Sequence, residues 1–494
     1  MLRIRGGQNI RFFLKPATWV FSFWISLAVI EKIPVSAFAN HNHPVFTRKT
    51  GSPYPAGIFP PKMSEAEWPD TDEDYCEVVD EFGSSAFEKY CKGESEDCLR
   101  WLRVEKDPDD CFKNVTTREG VFQKIAAVRE MQGRYGQSDL LLRQWEGADA
   151  EQDSIVTGQS INGAGKPMIS VMQFNSLAEG LSSGPTAKRP FRVHGNGQNE
   201  KFEFGGFSAI RFPSISLDFE LRRWRLLEVI LGTKVLNEET ESFDLIALEE
   251  IDRYHGFFAP VLRMFGYEGL FQPKPRSPGV RMGWYSDGCC LFWKKDVFEL
   301  VSERRLEYQT GSQIMIVAVL LHKSSKKPIV VAATHLKADK SEANEMIRCR
   351  QVQELMEEVD AVVLAATKDG SDDTIPVLIL GDFNADPPSC IVSGTSSIGQ
   401  LLAHNRVAAS SDTKSKHFQS AYEIDPPPDS LYTTWKIRGA NTSKRVIDYI
   451  FFAGALACKA VLRIPGEAEL EETKLPGLAH PSDHMMIGAK FEIN

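Results

Sequence analysis

Leu380-Gly381-Asp382-Phe383-Asn384 closes the apolar run Pro376-Val377-Leu378-Ile379-Leu380, and the abrupt change from aliphatic to polar residues marks the end of a buried strand. Taken alone, it reads equally well as a strand entering an Asx-stabilised turn. The balance shifts because the pattern repeats. Ile169-Ser170-Val171-Met172-Gln173-Phe174 stops at Asn175, Phe243-Asp244-Leu245-Ile246-Ala247-Leu248 stops at Glu249-Glu250, and Ile329-Val330-Val331-Ala332-Ala333-Thr334 delivers His335. Val446-Ile447-Asp448-Tyr449-Ile450 carries an acid inside an apolar strand. Strands of this kind in one sheet gather their polar ends at one edge, where Asn175, Glu250, His335, Asp382, Asn384, Asp448 and the closing Ser482-Asp483-His484 read as one phosphate-cleaving centre.

Helical patterns alternate with the strands. From Ser341 to Thr367 the residues Val352, Leu355, Met356, Val359, Val362 and Val363 keep the three-four spacing of one apolar face. A second helix is expected from Leu217 to Val235, with Leu221, Trp224, Leu227 and Leu231 as a core stripe. Residues 116 to 145 also look helical, and the Gly-rich insertion from Ser182 to Ser214 reads as a mobile loop near Asn175. Cys289 and Cys290 read as small core residues, because free cysteine is commonly buried. Of Glu249 and Glu250, alternation points only one toward the site, and the motif register selects Glu250.

The ordered motifs Phe174-Asn175-Ser176-Leu177-Ala178, Leu248-Glu249-Glu250-Ile251-Asp252, Asp287-Gly288-Cys289, Thr334-His335-Leu336-Lys337, Gly381-Asp382-Phe383-Asn384, Asp448-Tyr449-Ile450 and Ser482-Asp483-His484 resemble the endonuclease/exonuclease/phosphatase superfamily over residues 167 to 494. Gln272-Pro273-Lys274-Pro275-Arg276-Ser277-Pro278 and Tyr432-Thr433-Thr434-Trp435-Lys436-Ile437-Arg438 are most similar to the nocturnin and deadenylase branch. The resemblance implies an α/β fold of two mixed β-sheets packed as a sandwich flanked by helices, DNase I-like, with the active site at one end. It implies Mg²⁺ as cofactor, with Mn²⁺ as the alternative, held by Glu250 and with Asp483 close by. Hard oxygen ligands of this type suit Mg²⁺. By the same resemblance Asn175 positions that carboxylate or the phosphate, and Asp382 is the base. Asn384 and His335 contact the phosphate, while Asp448 orients His484 to stabilise developing charge. Singly, Asp448 reads as an acid paired with Arg445, and His335 as a satisfied core histidine.

Lys274, Lys337 and Arg438 match basic positions of the branch and read as phosphate clamps, against the common fate of surface lysine in solvent. Where nocturnin-like sequences carry a second basic residue beyond Thr334-His335-Leu336-Lys337-Ala338, this chain has Asp339 and then Lys340. Two substrates are implied: NADP(H), losing its 2′-phosphate to give NAD(H), or the 3′ end of poly(A) RNA. With 57 Lys and Arg against 67 Asp and Glu, the net charge of −10 lacks the global basic field of a non-specific RNA binder. No recruitment repeat, RNA-recognition motif or zinc-finger spacing precedes the catalytic part. The dinucleotide phosphatase is therefore preferred. A non-catalytic binding protein on the same scaffold is disfavoured, because no metal or base residue is missing.

At 494 residues the chain exceeds one compact core and is expected to carry appendages. Arg3, Arg5, Arg11 and Lys15 precede the apolar stretch Pro16 to Ile30 and then Val35-Ser36-Ala37-Phe38-Ala39, so residues 1–39 read as a signal or targeting peptide. Residues 40–64 read as a transit peptide, because no Asp or Glu occurs from Phe38 to Ser64. Ser36-Ala37-Phe38-Ala39 is similar to the cleavage motif of complex-plastid algae. Delivery to such a plastid is expected, with the mitochondrion or the secretory pathway as alternatives and no stable membrane partner after processing. Residues 65–146 form an acidic, cysteine-containing, helical region with Cys76, Cys91, Cys98 and Cys111, which suggest disulfides in an oxidising compartment. A linker at 147–166 leads to the catalytic domain at 167–494.

Overall fold

Each apolar run becomes a strand, and alternation along it sends successive side chains into two different cores. The computed structural model describes residues 103–105, 108–109, 114–136, 139–141, 143–147, 165–191, 200–232, 243–367, 375–391, 394–404 and 417–494. The expectations for residues 1–64 and for Cys76, Cys91, Cys98 and Cys111 lie outside the described residues.

One sheet runs β1 (Trp145–Gly147), β14 (Leu456–Leu462), β15 (Ile487–Ile493), β2 (Met168–Asn175), β3 (Leu245–Ile251), β5 (Gly288–Lys294) and β4 (Tyr267–Pro273). The other runs β10 (Gln419–Ser420), β13 (Asp448–Ala453), β9 (Val377–Asp382), β8 (Lys327–His335), β7 (Ile314–His322) and β6 (Phe298–Glu307). A ribbon of β11 (Thr434–Arg438) and β12 (Asn441–Arg445) stands apart from both. Each large sheet is mixed, with β2 parallel to β3 and β8 parallel to β9. Val171, Leu245 and Leu291 from the first sheet meet Ile316, Val331 and Leu380 from the second in a common core. This is the expected sandwich of two mixed sheets flanked by helices.

The outer faces are covered by helices. Helix α1 (Arg118–Gly133) is capped by Thr117 and α2 (Phe219–Leu231) by Asp218; both pack with Met172, Phe174, Ile246 and Leu248 on the first sheet. Helix α3 (Glu342–Ala366), capped by Ser341, lays Val352, Leu355, Met356 and Val359 against Val317, Val330 and Ile379 on the second. Full burial of such a side chain is worth roughly 1.5–3 kcal/mol, so α3 is held by packing more than by intrinsic propensity. Trp224, Leu227 and Leu231 are buried and Leu221 half-buried, so the α2 stripe is core as expected. Cys289 and Cys290 are buried on opposite faces of β5. Among the described residues no helix is long and apolar enough to cross a membrane.

Three local expectations are corrected. The helix expected over 116–145 stops at Gly133, because the chain turns and Trp145 leaves to pair with Leu462, its ring 5.9 Å from that of Phe243. Helix α2 ends at Leu231 rather than Val235. The described parts of the insertion at 182–214 are packed: Phe207 and Ile210 are buried with Leu177 and Leu217, and Phe204 packs against them. A Cβ at Gly205 (φ 62°) would lie 2.0 Å from the Leu181 carbonyl oxygen, so this glycine serves close approach rather than mobility.

Close approach also explains the glycine of the deciding motif. A Cβ on Gly381 would sit 2.1 Å from the carbonyl oxygen of Thr334 on the neighbouring strand. Gly381→Ala is expected to destabilise the protein by about 1–3 kcal/mol, the scale of overpacking a core. An unchanged chemical-denaturation midpoint would contradict this.

Candidate active site

Strand register assembles the site. Asp382 lies opposite His335 on one neighbouring strand and opposite Asp448 on the other, while Asn175 lies opposite Glu249 in the first sheet. The sheets meet here through side chains. The Asn175 Nδ2 donates to Asp382 Oδ2 at 3.0 Å, and its Oδ1 accepts from the Leu177 amide at 3.0 Å. Asp382 Oδ1 accepts from the Asn384 amide at 2.8 Å, while the Asn384 side chain donates to the Leu336 carbonyl. His335 Nε2 lies 3.6 Å and His484 Nδ1 3.8 Å from Asp382 Oδ2. Asn175, His335, Asp382, Asn384, Asp448 and His484 are therefore brought together, and all are buried.

The backbone is unusual at the same places. Leu177, Glu250 and Asn384 adopt φ of 58°, 56° and 52°, a region disfavoured for residues with a side chain and most tolerable for asparagine. Such strain persists only where the surroundings over-determine it. Arg222 supplies part of that restraint. From α2 its guanidinium donates to the carbonyls of Ser176, Leu177 and Pro481, tying the loop after β2 to the loop that carries His484. Ser482 Oγ donates to the Asn175 carbonyl at 2.6 Å, and Thr434 Oγ1 donates to that of Asp483 at 2.7 Å.

The two histidines sit in opposite electrostatic settings. His484 Nδ1 donates to Asp448 Oδ2 at 2.9 Å, which sets Asp448 against His484 rather than Arg445. Burial disfavours the imidazolium, but the carboxylates of Asp448, Asp382 and Asp483 together outweigh it and lift His484 to about 9. His335 is held well below its ordinary range by burial and then by the Lys274 ammonium. Asp382 rises to about 6, first through burial and then through the neighbouring Asp448 charge. Asp483 falls well below the ordinary carboxylate range: burial acts against it, and Lys436, His484 and Arg438 outweigh burial.

Glu250 is half-buried, and its Oε2 accepts from the Ala178 amide at 3.2 Å. Regular alternation does not extend to Glu250, contrary to expectation. The pairing of β3 with β5 shifts between Leu248 and Ile251, and the positive φ of Glu250 takes the chain out of regular alternation. Glu249 lies deeper, accepting from Gln173 Nε2 at 2.8 Å, with Asp448 and Asp382 among the charges acting on it. Burial, then those two carboxylates, push Glu249 well above its ordinary range. One nitrogen of Gln173 thus serves Glu249 and, at 3.0 Å, Asp448.

The donor chemistry fits a hard divalent cation. Glu250 offers a half-buried carboxylate that accepts from the Ala178 amide, and donor atoms of Asp382, Asp448 and His484 lie within 4.8 Å of one another. His484 Nδ1 is committed to Asp448, so the oxygens are the better ligands. Asp483, expected beside the metal, accepts from Lys436 Nζ at 2.5 Å and Arg438 Nη2 at 3.2 Å. Arg438 lies over the Phe207 ring at 4.4 Å. Lys337 is half-buried, and its amide donates to Gln351 Oε1 at 3.0 Å. Lys274, expected as a clamp, is buried, with its Nζ 2.8 Å from Asp287 Oδ2 and 3.1 Å from His335 Nδ1. Asp339 is exposed, and Lys340 pairs with Asp386 at 3.0 Å.

Gln173, Glu249, Asp287, Arg222 and Lys436 complete the site without having been singled out for it. Gln173 sits two residues before Asn175, and period-two alternation marks it for the same face. Lys436 lay within the quoted basic motif. Its Nζ is 3.5 Å from His484 Nε2.

A profile of the Endonuclease/Exonuclease/phosphatase family matches residues 211–484. The chain belongs to that family. It is 30% identical over 334 residues to Nocturnin of Xenopus laevis, covering 66% of this chain and 72% of that protein. It is 26% identical to the CCR4-NOT transcription complex subunit 6-like protein of Danio rerio, covering 57% of this chain and 58% of that one. The solved human Nocturnin catalytic domain with bound sulfate anion is 26% identical, with a TM-score of 0.45, covering 66% of this chain and 94% of that domain. The chain is thus a nocturnin-like member of the family and a metal-dependent hydrolase of phosphate esters.

Proposed function

We propose that this chain is a Mg²⁺-dependent 2′-phosphatase that converts NADP(H) to NAD(H). The observation that carries the reading is Asp382 set among Asn175, His335 and His484, with Lys436 3.5 Å from the far nitrogen of His484 and Arg438 beside it on Asp483. Glu250 would hold the Mg²⁺, which when bound would supply charge neutralisation at the phosphoryl oxygens. Asp382 orients the attacking water and takes its proton. Asn175 and Asn384 hold Asp382 in place, and His484, protonated and backed by Asp448, meets the charge that builds on the phosphoryl group. Lys436 and Arg438 receive the other phosphates of the dinucleotide, and Asp483 keeps the two cations in position.

A local pair of cations, Lys436 and Arg438, on a chain of net charge −10 favours a small, multiply charged nucleotide over a long polyanion. The greater identity to Nocturnin than to the CCR4-NOT subunit points the same way. Shortening of poly(A) from its 3′ end is the second reading, supported by similarity to that subunit. One experiment separates them. The purified protein in Mg²⁺ is given NADP⁺ or an oligoadenylate, and phosphate release and chain length are measured. Release from NADP⁺ with the oligoadenylate intact is expected; oligoadenylate shortening without that release would overturn the dinucleotide assignment.

A further inference from the structure

Lys274 and His335 face each other from different sheets, and their contact has only one protonation pattern. An ammonium donates three hydrogen bonds and accepts none. At 3.1 Å from Lys274 Nζ, His335 Nδ1 must therefore be the acceptor, which leaves the ring proton on Nε2. That nitrogen is the one 3.6 Å from Asp382 Oδ2. At His484 the arrangement is reversed, because there Nδ1 faces a carboxylate and donates to it.

The lysine is itself braced. Lys274 directly follows β4 and Asp287 directly precedes β5, and the ladder continues through them as the Lys274 amide donates to the Asp287 carbonyl at 2.8 Å. Asp287 Oδ2 accepts from Lys274 Nζ at 2.8 Å, and Oδ1 accepts from Ser277 Oγ. Ser277 Oγ in turn accepts from the amides of Gly279 and Asp287, each at 3.2 Å. Ser277 and Asp287 are each 1% exposed, His335 4% and Lys274 8%, so water competes little for these bonds.

We propose that Ser277, Asp287 and Lys274 form a positioning relay that fixes His335 as its Nε2–H tautomer, so that this imidazole donates toward Asp382 and the reacting phosphoryl group. Lys274 is then a positioning residue. The relay gives the two imidazoles beside Asp382 opposite polarity at Nδ1, an acceptor in His335 and a donor in His484. Its catalytic meaning rests on the phosphoesterase reading of the site, but the tautomer itself does not.

The test uses the full chain with ¹⁵N-labelled histidine, and His335 is assigned by loss of its signal in His335→Gln. Long-range ¹H–¹⁵N correlation without substrate is expected to show a bare Nδ1 and a protonated Nε2. In Lys274→Met the His335 pattern should become a tautomer mixture, whereas Lys274→Arg, which still donates, should preserve it. Turnover of NADP⁺ in Lys274→Met should drop roughly tenfold to a hundredfold, the scale of losing an orienting partner, with KM changed less than twofold. Should Lys274→Met fail to fold, Ser277→Ala provides the same tautomer readout with a milder change. An unchanged His335 pattern in the variant, or a raised KM with kcat intact, would overturn the proposal. Wild-type protein inactive on NADP⁺ but showing the fixed tautomer would remove the proposed function and leave the relay standing.

Discussion

Asp382→Asn is expected to lower phosphate-ester turnover about a thousandfold to ten-thousandfold while leaving the protein at least as stable at pH 7. The activity loss follows from removing the group that takes the proton of the attacking water, on the scale of general-base and electrostatic contributions. The stability outcome follows from a different term. Burial, then the adjacent Asp448, raise Asp382 to about 6, so its ionised form is held in the fold at a cost above that pH. An amide of the same shape removes that cost; its single oxygen can accept from Asn175 or from the Asn384 amide but not from both, which offsets part of the gain. Glu250→Gln should match the loss of turnover for another reason: a neutral amide is a poorer ligand for a hard cation, so Mg²⁺ affinity measured by calorimetry should fall with it. Activity close to wild type in either variant would refute these roles.

Much of this site was legible because strands that end together carry their functional residues at their ends. Asn175, His335, Asp382 and Asp448 each follow or begin an apolar run, and parallel or antiparallel register then forces them to be neighbours. The apolar face of α3 was equally plain, because Val352, Leu355, Met356 and Val359 need only local periodicity to be recognised. What escaped depends on contacts between elements. The departure at Glu250 from regular alternation comes from a shifted pairing with β5, which no pattern within β3 announces. Lys274 read as a clamp because it matches a basic position of the nocturnin branch; only the packing of the two sheets places His335 and Asp287 at its ammonium. Trp145 likewise looked helical from its neighbours, and its pairing with Leu462 joins residues far apart in the chain.

His484→Asn is expected to reduce turnover about a hundredfold to a thousandfold and to reshape its pH dependence. In the wild type, activity requires Asp382 ionised and His484 protonated. The acid limb of kcat/KM should therefore fall at or below about pH 6, since a bound cation favours the carboxylate. The basic limb should fall near pH 9, where His484 loses its proton. Because the two groups lie 3.8 Å apart, the limbs belong to the cluster rather than to either residue alone. The Asn variant keeps a donor toward Asp448 but cannot carry charge, so its basic limb should vanish while the acid limb persists. Stability provides an independent check of sign. A histidine raised from 6.5 to about 9 on folding contributes stability that is fully present below pH 6.5 and is lost as pH rises through 9. The wild-type Tm should accordingly decline across that interval, and the part of the decline due to His484 should be absent in the variant. A basic limb retained in His484→Asn would assign the high-pH ionisation to another group.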